Sequence, residues 1–296
     1  MGLSFILLVL VIMLSIAFFT LMEVRILGVV HQRFGPMSVG LIGLFQPFGD
    51  FVKLFGKLIW FPSKMEKVLF FFSPFVSILI GVLIWASFGT YFPLSSLSWS
   101  SVVFFLLSSF LVYFLLMSGW SSGSYFSLLG SFRSVSQAIS YEVVLFFILL
   151  PMLMFFYSFK MSDVFVHSFF SFFLVAPLFF VWLFSCLAES NRSPFDFSEG
   201  ESELVSGFNT EMLGGFFTFI FITEYGFMLF LGFMTVVFFL GSSFFWFKHF
   251  LVVSFFLFVR GVYPRMRFDV LMMMVWKKFL PFTIFFLFFV FGVILF

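Results

Sequence analysis

Cysteine is almost absent: the single Cys186 lies in an apolar run, which excludes disulfides, thiolate metal sites and iron–sulfur ligation within the chain. Charge is nearly as scarce. Only 9% of the 296 residues are charged, against about 25% in soluble domains, while 63% are apolar and the mean hydropathy is +1.23. Such a surface cannot be solvated, so this is the composition of an integral membrane protein. The net charge of +2 gives nucleic acid no purchase, and the cations are more useful for reading topology. No Walker loop, dinucleotide fingerprint, zinc motif or nucleophile elbow occurs. His31 and His249 stand alone and read as surface or interface residues, so no metal site is expected. Phenylalanine, by contrast, reaches 62 residues, often where leucine would serve equally well, which points to the T-rich codons of an organelle genome.

A spanning helix needs roughly 20 apolar residues. Runs of that kind cover 3–22, 68–90, 101–118, 139–157, 169–187, 212–238, 244–262 and 279–296, and the first is read as a retained span. Residues 41–60, apolar with Asp50, Lys53 and Lys57 at helical spacing, read as an amphipathic helix on the inner membrane surface. The expected fold class is an all-α polytopic membrane protein, a single membrane domain of eight transmembrane helices plus that inner-surface helix. Thirteen of the 15 cations fall in or beside the odd-numbered connections, leaving Lys160 and Lys248 to the even ones. The positive-inside rule then places the odd loops inside and both termini outside.

Against this background, "AESNRSPFDFSEGESELVSGFNTEM", residues 188–212, stands out, with six of the chain's thirteen acids in the fifth, inner loop. Glu142 opens the fourth expected span, Glu189 closes the fifth and Glu211 begins the sixth, in which Glu224 lies mid-span. An ionised carboxylate there costs roughly 2.5 to 3.5 kcal/mol on insertion scales, so Glu224 must face protein or water. With Asp196, Glu199, Glu201 and Glu203, these acids are expected to form a file from the inner loop to the bilayer middle. Crowded loop carboxylates repel one another and favour their neutral forms, which brings proton exchange toward physiological pH. That is what a proton relay requires. The plainer alternative is that Glu224 makes one neutral interhelical hydrogen bond and the loop acids cap the sixth helix.

The loop-five motif closely resembles the signature loop of the subunit 1 family of mitochondrial NADH:ubiquinone oxidoreductase, respiratory complex I. The segments "QRFGPMSVGLIGLFQPFGDFVKLFGK", "SGWSSGSYFSLLGSFRSVSQAISYEV" and "VRGVYPRMRFDVLMMMVWKKFLP" resemble that family's inner-side segments in the same order, so the likeness covers most of the chain. It implies the membrane part and entrance of a quinone chamber in the mitochondrial inner membrane, with both termini on the intermembrane-space side. The substrate implied is a ubiquinone-type quinone, with flavin and iron–sulfur clusters in partner subunits. Implied partners are the quinone-arm iron–sulfur subunits, neighbouring membrane subunits and lipid. Carried over, the relay acids are Glu142, Glu189, Asp196, Glu199, Glu201, Glu203, Glu211 and Glu224. Arg33, Arg133, Arg192 and Arg260 match positions at the quinone side or along the polar axis, and Phe221 matches an aromatic position near the chamber. The family's Glu-Arg-Lys is Glu23-Val24-Arg25 here, so the implied quinone-entrance arginine is absent at its usual position and Arg25 is the neighbouring candidate. A membrane subunit of a hydrogenase-type complex is the competing family reading, disfavoured by the full loop set. A free-standing proton-coupled transporter is disfavoured because neither internal repeats nor broken helices are visible.

Overall fold

The computed structural model describes residues 2–37, 39–40, 43–57, 64–88, 98–197, 200, 207, 212 and 214–295. Among them every regular element is helical, as the composition predicts: α1 (Gly2–Val30), α2 (Gln46–Phe55), α3 (Lys67–Ala86), α4 (Ser100–Ser121), α5 (Tyr125–Phe156) and α6 (Met161–Glu189). Then come α7 (Gly215–Thr235), extended by a π-helical turn (Val236–Leu240), α8 (Phe245–Val262), and α9 (Phe268–Met274), joined through a second π turn (Val275–Phe279) to α10 (Leu280–Leu295). Seven helical stretches among the described residues are long and apolar enough to cross a bilayer, the joined α9 and α10 forming one of them; the described apolar part of α6, Val175–Glu189, is shorter. The chain is therefore an all-α polytopic membrane protein.

The centre of the bundle is α7, which packs against α1, α2, α3, α6 and α8. Large side chains fill the space around it: Phe230 sits edge-on to Trp85 at 5.3 Å, and the indole Nε1 of Trp85 donates to the carbonyl of Gly226 at 3.1 Å. Helix α2 begins with a buried Pro47 in its first turn, where a missing N–H costs nothing. It lies against α1 through Phe18 and Phe48, and against α7 through Phe55 and Phe219. It is shorter than the expected 41–60, of which 41, 42 and 58–60 lie outside the described residues.

The largest departure from the hydropathy reading is at α5. The helix starts at Tyr125, well before the apolar window that begins at Ile139, so the third connection is a tight hairpin and Glu142 lies mid-helix instead of opening the span. The reason is the serine chemistry. Ser131, Ser134 and Ser140 each donate to the carbonyl three residues back, as do Ser118 and Ser121 on α4 and Ser122 just after it. With their hydroxyls satisfied internally, these residues behave as small packing groups, and small residues let backbones approach. The approach is close: a Cβ on Gly119 would fall 2.3 Å from that of Ser131. Gly123 closes the hairpin at φ +69, where a Cβ would also meet the carbonyl oxygen of Lys64 at 2.5 Å.

Candidate functional site

The first helix and the consecutive α7 and α8 converge on one buried carboxylate. Glu23, near the end of α1, accepts a hydrogen bond from the hydroxyl of Tyr225 on α7 and forms an ion pair with Arg260 near the end of α8. Glu23 is buried, so the Arg260 charge is what makes its ionised form tolerable there. The Tyr225 ring in turn lies under a second cation, Arg192, whose guanidinium carbon is 4.3 Å from the ring centroid and 5.6 Å from that of Phe221. Arg192 follows α6 and pairs with Glu224, Nη2 to Oε2 at 3.4 Å, both side chains being about nine-tenths buried. Ionic, hydrogen-bond and cation–π contacts therefore run unbroken through Arg260, Glu23, Tyr225, Arg192 and Glu224.

Beyond Glu224 the line continues through space. A small cavity, with about 20 Å³ open to the centres of water-sized molecules, is lined by Glu224, Glu189, Asn191, Ser190 and Ser108. That is room for about one water. Its polar lining is underused: Glu189 Oε2 and Asn191 Oδ1 are buried without a hydrogen-bond partner among the described residues. Glu189 also feels the charge of Glu142 on α5 and acts on the buried Tyr141 beside it. Glu142 is partly buried, with Oε1 unpartnered among the described residues.

A larger cavity, about 220 Å³, opens on the other side of Tyr225 between α1, α2 and α7. Glu23, Asp50, Thr218 and Tyr225 supply polar groups to its lining, and Val24, Phe51, Leu54 and Phe221 supply apolar and aromatic ones. Apolar and aromatic walls with a few polar groups are the layout of a slot for a flat apolar molecule with a polar head. Near the loop-five end, Arg265 pairs with Asp196 at 3.3 Å, and the backbone N–H of Met266 donates to Pro194 O, tying the connection after α8 to the one after α6. Arg133, Asp196 and Arg265 share a further cavity of about 320 Å³.

Of the residues expected from sequence, Glu142, Glu189, Arg192, Phe221, Glu224 and Arg260 are gathered along this line, while Asp196 and Arg133 meet at the neighbouring loop-five cavity. Arg33 is exposed. Arg25 is partly buried, its Cγ 3.3 Å from where a Cβ on Gly35 would stand, and the cavity wall at that level is Val24. Glu199, Glu201, Glu203 and Glu211 lie outside the described residues. Sequence reasoning passed over Glu23 and Tyr225 as site residues. A carboxylate inside an apolar first helix was the available signal for Glu23, whereas Tyr225 is distinguished only by the partner it meets 202 residues away. His249 is an interface residue of α8, its ring stacked on Phe245 and Nε2 3.2 Å from Leu229 O.

Fold and site together define a class: a polytopic helical membrane protein that keeps a line of paired charges in its interior, between an apolar slot and a water-sized cavity. The family model described as NADH dehydrogenase matches residues 3–291, and the chain belongs to that family. It is 44% identical over 293 residues to NADH-ubiquinone oxidoreductase chain 1 of Aedes aegypti, covering 97% of this chain and 94% of that protein. The protein of the same name from Locusta migratoria is 44% identical, with 98% and 94% covered, and that of Strongylocentrotus purpuratus 41%, with 92% and 89% covered.

Proposed function

We infer that this chain is a core membrane subunit of an NADH:ubiquinone oxidoreductase of the mitochondrial inner membrane, with both termini on the intermembrane-space side. In this reading it forms the membrane part of the quinone chamber and the first section of the path that links quinone reduction to proton translocation. The observation that carries it is the uninterrupted buried line from Arg260 to Glu224 in a family whose relatives are named for NADH and ubiquinone oxidoreduction. Flavin and iron–sulfur clusters belong to partner subunits and deliver the electrons; this chain supplies the slot and the proton chemistry.

The slot between α1, α2 and α7 receives the quinone, its isoprenoid tail toward the apolar wall and its ring toward Tyr225 and Glu23. Reduction of a quinone consumes protons, and a proton drawn from the Tyr225 and Glu23 pair leaves negative charge that Arg260 and Arg192 are placed to stabilise. Because Arg192 is shared between the Tyr225 ring and Glu224, a stronger demand on one side weakens its hold on the other. Glu224 then takes up a proton through the water-sized cavity, and Glu189 and Glu142 are the next groups along. The loop acids Asp196, Glu199, Glu201, Glu203 and Glu211 serve as the inner-side proton supply, and Arg25, Arg33 and Arg133 are the inner-side cations outside the slot lining that balance their charge.

Photolabelling of the intact complex with an azido-ubiquinone tests the slot. Label is expected on peptides containing Asp50–Leu54 and Thr218–Tyr225, and excess quinone should displace it. Label confined to other helices of this chain, or insensitive to competing quinone, would contradict the placement.

A further inference from the structure

Gln137, on α5, is completely buried, yet it carries neither charge nor a place in the line of ion pairs. Its side-chain Nε2 donates to two main-chain carbonyls at once, Ala188 at 2.7 Å and Phe195 at 3.0 Å. Those two carbonyls bracket the segment that holds Glu189, Asn191, Arg192 and the turn at Pro194. Ala188 lies in the last turn of α6, where the final carbonyls have no partner within the helix and need one from outside. Asn191 N–H also reaches Ala188 O at 3.2 Å, but Asn191 turns the chain sharply, at φ +48. Beyond it, Met266 N–H ties Pro194 O to the connection after α8, while Phe195 N–H donates to Arg192 O and Phe197 N–H to Phe195 O inside the same turn; none of these described main-chain contacts holds the segment to α5.

The orientation of this amide follows from its partners. Both neighbours are carbonyl oxygens, which only accept, so the NH₂ end must face them. Its Oε1 is left buried without a partner among the described residues, so the side chain is held for its pair of donors. A carboxylate in this place would aim lone pairs at lone pairs, and an apolar side chain would leave each carbonyl with its local main-chain donor alone, a cost in a low-dielectric interior.

We propose that Gln137 is a positioning residue: its amide clamps residues 188–195 onto α5, and this sets Arg192 against Glu224 and Glu189 at the wall of the small cavity. The consequence for coupling rests on the function inferred above, whereas the clamp itself does not. The side chain touches no substrate. It acts through the backbone of the segment that carries the charges.

The test uses the intact complex carrying Gln137→Met, which keeps the volume and removes both donors. Hydrogen exchange read at the amides of 190–197 should be about five- to tenfold faster than in the parent, with exchange in α7 and α8 unchanged. Protons translocated per electron should fall while quinone reduction is largely kept. Should the Met variant fail to assemble, Gln137→Glu keeps the shape and replaces the donors with acceptors, and the same two readouts apply, with at least as large a change. Unchanged exchange at 190–197 in an assembled variant would overturn the clamp. Faster exchange with an unchanged proton ratio would overturn its positioning role. Glu224→Gln in the same assay separates the two ideas: if it too leaves the ratio unchanged, the fault lies in the relay reading and not in the clamp.

Discussion

Helix α7 with its π turn and the last helical stretch look alike by hydropathy, yet 89% of an 18-residue apolar window in the first is buried inside the protein and only 11% of one in the second. The difference is in what interrupts the apolar residues. In the first stand Glu224 and Tyr225, whose polar groups must face protein because lipid offers no hydrogen-bond partner, and Thr218 and Thr223, whose hydroxyls return to Gly215 O and Ile220 O. In the second, Asp269, Lys277 and Lys278 stand exposed before Leu280, and beyond it the lone polar side chain up to Leu295 is Thr283, which is buried and returns its hydroxyl to Leu280 O. Lipid is as apolar as leucine, so hydrophobicity drives a segment into the bilayer without deciding which neighbour it meets there. The few polar groups decide that, and they also carry the function.

The comparison can be broken most severely at the ion pair. Arg192→Met leaves Glu224 with its main counter-charge removed in a buried site, an expected loss of about 3–5 kcal/mol. It would be seen as poor assembly in native gels and a lower unfolding temperature of the purified complex. Adding Glu224→Gln to Arg192→Met should restore part of that loss, since no uncompensated charge then remains.

Packing gives the next largest contrast. Phe230 on α7 is fully buried against Trp85 and Phe104, and Phe230→Ala should cost about 3 kcal/mol through the cavity it leaves. Phe288 on α10 is 66% exposed, and Phe288→Ala should change stability by less than about 0.5 kcal/mol. Thermal unfolding of the two variants side by side checks both, and equal effects would mean that burial in the isolated chain does not describe the assembled protein. The smallest effect that still sharpens the contrast is Trp85→Phe. It keeps the ring on Phe230 but drops the Nε1 bond to Gly226 O, with an expected cost of about 1 kcal/mol on the same scale.

Much of this was legible from sequence, and the failures have physical causes. Long apolar runs announce helices because a bilayer permits no other open segment, which is why the all-helical class was readable. The start of α5 was not, because a hydropathy window penalises Ser131, Ser134 and Gln137, whose polar atoms in fact bond to nearby carbonyls. In the site, Glu224 and Glu189 were readable as acids too costly to leave in lipid. The Glu23, Tyr225 and Arg260 cluster was not, because the first helix meets the consecutive α7 and α8 only in the fold and no local spacing encodes it. The same holds for Gln137, whose importance lies entirely in the two carbonyls it meets.

The central claim, that the buried line couples quinone reduction to proton movement, is tested most directly by counting protons translocated per electron in vesicles containing the intact complex with Glu224→Gln. This substitution keeps the shape of the side chain and removes the proton it would exchange. The account predicts a clear fall in the ratio while NADH-driven quinone reduction continues. An unchanged ratio in a fully assembled complex would contradict it.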